Sequence, residues 1–403
     1  MNFYQLTEYQ KIKTKFWNGF LSDLNSDYFE ALIESDDWVY LDHTDAISFY
    51  WFQQYKNFFE ILEVTDETSD EKSKNLSENE EILFDVWQSG PFAKDFLKFS
   101  NRSSVKEASY KCLELFERQL VAFFRLHIAQ DLKTVPETYR ADFEIGDVVN
   151  GKETKINHNP IKLEFNFNLL NNDAKKEAQH IKRLNTALKK LSEYVPASFE
   201  RLKLFTSHII PINDRGIVSY SSQELPGYSV INLYHRDDMD LLDDLLHENG
   251  HHHLNYYLNT QELIIEEEEQ AYYSPWRKSM RPVRGIYHAF FTFYWALDLF
   301  QQLSQPKLLE KFSKPEQDKI LLRFCEEHHM LYYCIPDLVL MKAEGLILPT
   351  GYQLIEHMMD NLKKQQVSIT QFEKKLSPKA LAKINDLKKV LKNQHEIRSS
   401  IVN

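Results

Sequence analysis

Cysteine, glycine and long apolar runs are all scarce in this chain. Three cysteines, Cys112, Cys325 and Cys334, occur in 403 residues, and no two form a CxxC pair. That excludes a disulfide framework or a thiolate zinc cluster and suits a reducing compartment. Ten glycines are few for a turn-rich β architecture and favour helix. No stretch reaches the roughly 18 to 20 apolar residues of a membrane span. The N-terminal Met1-Asn2-Phe3-Tyr4-Gln5-Leu6-Thr7-Glu8 lacks the basic and apolar regions of a secretory signal. The expectation is a cytoplasmic protein without a membrane partner. Basic residues are also in the minority, 48 Lys and Arg against 60 Asp and Glu for a net charge of −12. Phosphate contacts demand clustered Lys and Arg, so nucleic acid is not expected as a partner.

What is present is core-forming material: 43% hydrophobic and 13% aromatic residues suffice to bury a sizeable interior. Residues 1–135 read as a helical N-terminal region, with dense periodicity through Phe16, Trp17, Phe20, Leu21, Leu24, Phe29 and Leu32. Within it, the polar and acidic stretch Glu63 to Glu81 reads as a loop or linker. Composition shifts near Val135-Pro136. Short β-like runs follow: the alternating Ile161 to Leu169, then, after a helix of about 20 residues, Leu202 to Ile212, Gly216 to Ser221 and Tyr228 to Leu233. Helices are expected again over 286–303 and 316–347. Residues 304–403 form a helical C-terminal region ending in a basic tail (Lys388, Lys389, Lys392 and Arg398 among others). That tail reads as a solvated helix pair, or as a docking surface for an acidic segment. The fold expected is α+β and mainly helical, with a mixed strand and helix metal-site domain over 136–303.

The most informative stretch is His247-Glu248-Asn249-Gly250-His251, followed by His252 and His253. On a helix, His247 and His251 lie one turn apart on one face, so both imidazoles can grip one metal ion. The preceding Met239 to Leu246 reads as helix, with acids towards its start. The plain alternative is a surface helix whose histidines are only polar. A third ligand is needed. The four consecutive acids Glu266, Glu267, Glu268 and Glu269 offer it if they sit on a second helix, as in many zinc peptidases, though such a run also reads as a solvated helix face. His288, in the apolar Ile286-Tyr287-His288-Ala289-Phe290-Phe291, is the other candidate, unless it is a hydrogen-bonded core histidine. Between them lies the turn-forming segment Tyr272 to Gly285, with Ser274, Arg277, Arg281 and Arg284. Arginine forks hold carboxylates bidentately, so this segment suits clamping an organic acid near a metal, or else pairs with the glutamate run. Trp276 reads as packing.

Together, Leu246-His247-Glu248-Asn249-Gly250-His251-His252, Ser274-Pro275-Trp276-Arg277, Arg281-Pro282-Val283-Arg284-Gly285 and Ile286 to Phe293 resemble the 2-oxoglutarate-dependent HExxH-type peptide β-hydroxylases. Ser221 to Gly227 is a weaker echo. The resemblance spans about a quarter of the chain, and it implies an Fe(II) enzyme acting on ribosomally made peptides. The reading that follows is a non-haem iron oxygenase with His247, His251 and His288 as ligands, and an arginine, Arg284 first, on the cosubstrate's distal carboxylate. Glu248 is then a group that orients a histidine or a metal-bound water, or itself a ligand. The competing class is a zinc peptidase, with Glu248 as general base and a glutamate of 266–269 as third ligand. A catalytically inert helical binding protein with a fortuitous motif is the third.

Overall fold

The computed structural model describes residues 11–16, 19–20, 46–67, 75–89, 92–117, 144–145, 174–267 and 271–402. Chain contacts divide into two compact units, one of 17–140 with 148–171, the other of 1–16, 141–147 and 172–403.

The first unit contains α1 (Ala46–Glu67), α2 (Asn75–Ser89), α3 (Ala93–Ser100) and a helical run over 105–117. Aromatic side chains make its interior: Phe58 lies 4.4 Å from Trp87 and Phe92 5.0 Å from Phe116, ring centre to ring centre. The acidic stretch expected as a loop is helical at both described ends, in α1 to Glu67 and in α2 from Asn75. Glutamates propagate helix well despite their polarity. The helices formed here are α-helical extensions of apolar segments on either side, which a reading by composition alone misses.

The second unit holds the motif. Its elements are β1 (Glu144–Ile145), α4 (Ala174–Tyr194), α5 (Pro196–Phe205), β2 (His208–Ile212), β3 (Tyr220–Ser221), β4 (Tyr228–Asn232), α6 (Asp238–Leu258), β5 (Tyr272–Ser274), β6 (Ser279–Arg281), α7 (Val283–Leu303), α8 (Pro306–Leu309), α9 (Lys314–Ala343), α10 (Pro349–Glu373) and α11 (Pro378–Val402). The chain is thus mainly helical, with a small mixed sheet of order β1-β2-β4-β3 and a separate β5-β6 hairpin. β2 runs parallel to β1 and β4, whereas β3 is antiparallel to β4. Ile209, Ile210, Ile212, Val230 and Ile231 are all buried, the unbroken apolar pattern of strands covered on both faces. The expected strand from Leu202 begins only at His208. Pro196 at the first turn starts α5, which carries Leu202 to Phe205. The alternating run 161–169 lies outside the described residues.

α6 begins where the sequence provides a cap. Asp237 accepts from the Met239 and Asp240 N–H groups at 2.9 and 3.1 Å, and Asp240 accepts from Asp237 N–H at 3.1 Å. α6 packs on β4, α4, α5 and α7, and α7 in turn packs on α9. Because α7 is sandwiched, it is apolar almost all round: Ile286, Tyr287, Phe290, Phe291, Trp295 and Phe300 are buried. The helices beyond Leu303 belong to this same unit. Among the described residues, no helix is long and apolar enough to cross a membrane.

Candidate metal centre

Asn249, Gly250, His252 and His253 each turn to a different neighbour, and the place of each on the helix dictates which. Asn249 turns to α5, giving its side-chain N–H groups to the Leu202 carbonyl (3.2 Å) and Thr206 Oγ1 (3.0 Å). Gly250 lies against α7, where a Cβ would come 2.8 Å from Trp295 Cδ1 and 3.3 Å from Thr292 Cα. Only glycine lets the two helices approach this closely. His252 faces the sheet: its Nδ1 accepts from Gly227 N–H at 3.2 Å, and its Nε2 lies 3.1 Å from Ser229 Oγ. With Nδ1 accepting, the proton sits on Nε2 and is donated to the serine. His253 stacks on Phe205 at 4.5 Å and meets the edge of Phe291. The two extra histidines are therefore packing elements.

His247, Glu248 and His251 line a cavity of about 630 Å³, and α7 adds His288, Ala289, Thr292 and Phe293 to its wall. The His247 and His251 rings are 5.0 Å apart, and His251 and His288 are 6.2 Å apart. Nδ1 of His247 and Nε2 of His288 are buried without a hydrogen-bond partner. Burial is the main reason that His247 and His288 are pushed down to about 3 and His251 well below its ordinary range. Nearby positive charge adds to the effect. All three imidazoles are neutral, the form that binds metal.

Two imidazoles bound to one ion at about 2.1 Å have ring centres roughly 4.5–5.3 Å apart. The His247–His251 spacing falls in that range, and His288 has to swing inward to join them. Among the described residues, no three His, Cys, Asp or Glu side chains already surround one point. In donor chemistry, three neutral imidazoles, two of them with an orphaned buried nitrogen, fit a transition-metal ion such as Fe(II) or Zn(II).

Glu248 is buried and accepts a 2.8 Å hydrogen bond from Ser221 Oγ. Burial, with Asp244 and Asp243 nearby, pushes its carboxyl up to about 8 against that bond. Ser274 is buried in the hairpin, its Oγ accepting from Arg277 N–H at 3.3 Å. The turn-forming segment is thus a β-hairpin, with Tyr272 opposite Arg281 and Ser274 opposite Ser279. Ser274, Arg277, Arg281 and Arg284 all line the cavity with the histidines. Arg284 binds the Glu266 carboxylate and donates to Gln223 Oε1 at 2.8 Å. Glu266 and Glu267 are exposed and not helical, so the second-helix setting expected for them does not form. Glu268 and Glu269 lie outside the described residues.

Trp276 and Phe293, with two side chains that the sequence did not single out, Arg323 and Glu327, support this wall. Trp276 stacks on Phe293 at 4.5 Å, and Phe293 lies 4.3 Å from His247. Trp276 Nε1 donates to Glu327 at 2.9 Å. Arg323 bridges Asp243 and Glu327, the latter at 3.1 Å. Glu327 could have been suspected: it lies on the apolar stripe of α9 between Phe324 and Leu331, where an acid needs a partner. In comparisons with known proteins, no family model matches the chain, and no curated protein matches it.

Proposed function

We propose that the chain is a mononuclear non-haem iron oxygenase that uses 2-oxoglutarate and O2 to hydroxylate a β-carbon of a ribosomally made peptide. The observation that carries this is the meeting of His247, His251 and His288 in one cavity whose rim bears Arg277, Arg281 and Arg284. The three imidazoles would hold Fe(II), which when bound supplies the O2 activation needed to oxidise an unactivated C–H bond. Burial keeps the imidazoles neutral. The Trp276–Phe293 stack shields His247 from water on one side. Glu248, a neutral acid held by Ser221, orients a neighbouring group by hydrogen bonding. The arginine rim receives the cosubstrate's distal carboxylate. The peptide class rests on the motif resemblance.

A zinc peptidase is the second reading, favoured by Glu248 facing the cavity beside both imidazoles. It needs Glu248 ionised and a glutamate ligand, and neither Glu266 nor Glu267 is buried against the histidines. Anaerobic titration with Fe(II), checked by Co(II) absorption, tests the centre. The wild type should bind one equivalent, His247→Ala and His251→Ala should lose it, and His288→Ala should bind at least about tenfold more weakly. A folded wild type that takes up no metal would move the chain to the inert binding class. Retention of metal by His288→Ala at full affinity would remove His288 from the ligand set.

A further inference from the structure

β3 is the outer strand of the four-stranded sheet, and the register shows which of its main-chain groups are already engaged. Leu233 N–H donates to the Ile212 carbonyl at 2.8 Å, and His208 N–H to the Gly227 carbonyl at 3.0 Å. Odd-numbered residues of β4 therefore bond to β2, and even-numbered ones turn to β3. Asn232 agrees, its N–H donating to Ser219 Oγ at 3.0 Å. Tyr220, opposite Val230, thus commits its N–H and C=O to β4. Ser219 and Ser221 point theirs away from the sheet, and among the described residues neither finds a main-chain partner there.

Their side chains hold this edge in place. Ser219 Oγ donates to Asp244 and Ser221 Oγ to Glu248, each at 2.8 Å. Two residues of strand cover about 6.8 Å and four of helix about 6.0 Å, so this pair of bonds lays β3 along α6. On the opposite face of the strand, Val218 and Tyr220 are 54 and 43% exposed, with nothing packed over them. Val218, Ser219, Tyr220 and Ser221 all line the cavity that contains His247 and His251. An open strand edge is a row of N–H and C=O groups at main-chain spacing. The complement of that row is another extended main chain.

We propose that the open edge of β3 is the docking strand of this cavity, pairing through Ser219 and Ser221 with an extended segment of a peptide. The proposal deepens the peptide-modifying reading and rests on it for the identity of the ligand. Side chains of an added strand alternate between the two faces of the sheet. Those on the face of Ser219 and Ser221 turn towards α6 and its histidines. A β-carbon is the first side-chain atom, so pairing the main chain fixes its place whatever the rest of the side chain carries. The edge thereby selects for extended, proline-free segments rather than for one side chain.

The probe is a fluorescein-labelled, capped heptapeptide of alternating Thr and Val, titrated into the full chain by fluorescence anisotropy without metal or cosubstrate. Wild type should bind it, and amide hydrogen exchange over 217–222 should slow at least about tenfold at saturation. The same peptide N-methylated at every internal residue should bind at least about tenfold more weakly. Ser219→Pro removes an outward N–H and should weaken binding at least about tenfold. Ser219→Ala keeps that N–H and should weaken it less than about threefold. The methylated peptide carries the test if Ser219→Pro does not fold. The proposal is overturned if the probe does not bind, if methylation leaves its affinity unchanged, or if a folded Ser219→Pro binds as wild type does. Slowed exchange elsewhere but not over 217–222 also overturns it. So does a dimer in sedimentation that protects 217–222 without probe, since a second copy then covers the edge. Succinate formation is measured separately. Docking with no succinate removes the oxygenase and leaves the edge, whereas succinate with 217–222 unprotected removes the edge and leaves the oxygenase.

Discussion

Gly250 and His252 show how differently neighbouring positions of the motif contribute. A methyl group at Gly250 meets an indole ring at 2.8 Å and a backbone Cα at 3.3 Å, neither of which can yield cheaply. Overpacking costs about 1–3 kcal/mol, against about 1 kcal/mol regained from helix propensity. Gly250→Ala should therefore destabilise by up to about 2 kcal/mol in urea denaturation. A higher stability would show that α6 and α7 are not held this closely. His252 serves the sheet through Gly227 and Ser229, and its removal leaves a buried donor unmet. His252→Ala should lose about 2–4 kcal/mol of stability while the folded fraction keeps its metal. His251→Ala should do the reverse. Identical behaviour of the two variants would contradict the division of roles. The pairing of His247 with His251 was legible in the sequence, because a spacing of four residues puts them on one helix face. The fates of His252 and His253 were not, since they depend on which elements pack on the other faces of α6.

The contacts between the β5-β6 hairpin and α9 are where the sequence said least. The hairpin's strands have three residues each, and its fixed geometry comes from Trp276 reaching Phe293 and Glu327, contacts made across a long stretch of chain. No local pattern encodes them. One stacked ring pair and one hydrogen bond to a buried carboxylate tie it to the wall beside His247, which leaves a testable weakness. Glu327→Gln keeps an acceptor for Trp276 but removes one of Arg323's two carboxylate partners. Glu327→Ala removes both contacts and should destabilise by about 2–4 kcal/mol. It should also weaken metal binding, because the Trp276–Phe293 wall against His247 loosens. Near-ultraviolet circular dichroism of the tryptophan band and Co(II) titration read the two effects. Unchanged metal affinity in a loosened hairpin would uncouple this wall from the centre. By contrast, the long helices were legible, because apolar residues at helical spacing and caps such as Asp237–Asp240 declare them locally.

Buried titrating groups set opposite limits on the stability of the second unit. His328, buried with Nε2 3.2 Å from the Leu362 carbonyl, is pushed down to about 4, chiefly by burial. Its folded value is below its unfolded one, so its contribution is complete above about pH 6.5 and is lost as pH falls through about 4. Glu327 is pushed up to about 7, again mainly by burial. Its contribution is complete below its ordinary carboxylate range and is lost as pH rises through about 7. Between them the two groups hold the stability of the metal-free protein level from about pH 4.5 to 6.5, with a fall on either side. His328→Gln should flatten the acid side by at most about 3 kcal/mol. A variant with the wild-type acid profile would show that His328 does not set it. The main helical character of the molecule followed from scarce glycine and helical periodicity. The cavity did not, because it is assembled from α6, α7, α9, the β5-β6 hairpin and β3, whose meeting is a tertiary fact. Its chemistry is tested most directly by supplying the protein with Fe(II), 2-oxoglutarate and O2 and measuring succinate. The account predicts succinate formation that disappears in His247→Ala and His251→Ala and is sharply reduced in His288→Ala. A well-folded, metal-loaded wild type that forms no succinate, but cleaves peptides when given zinc, would contradict it.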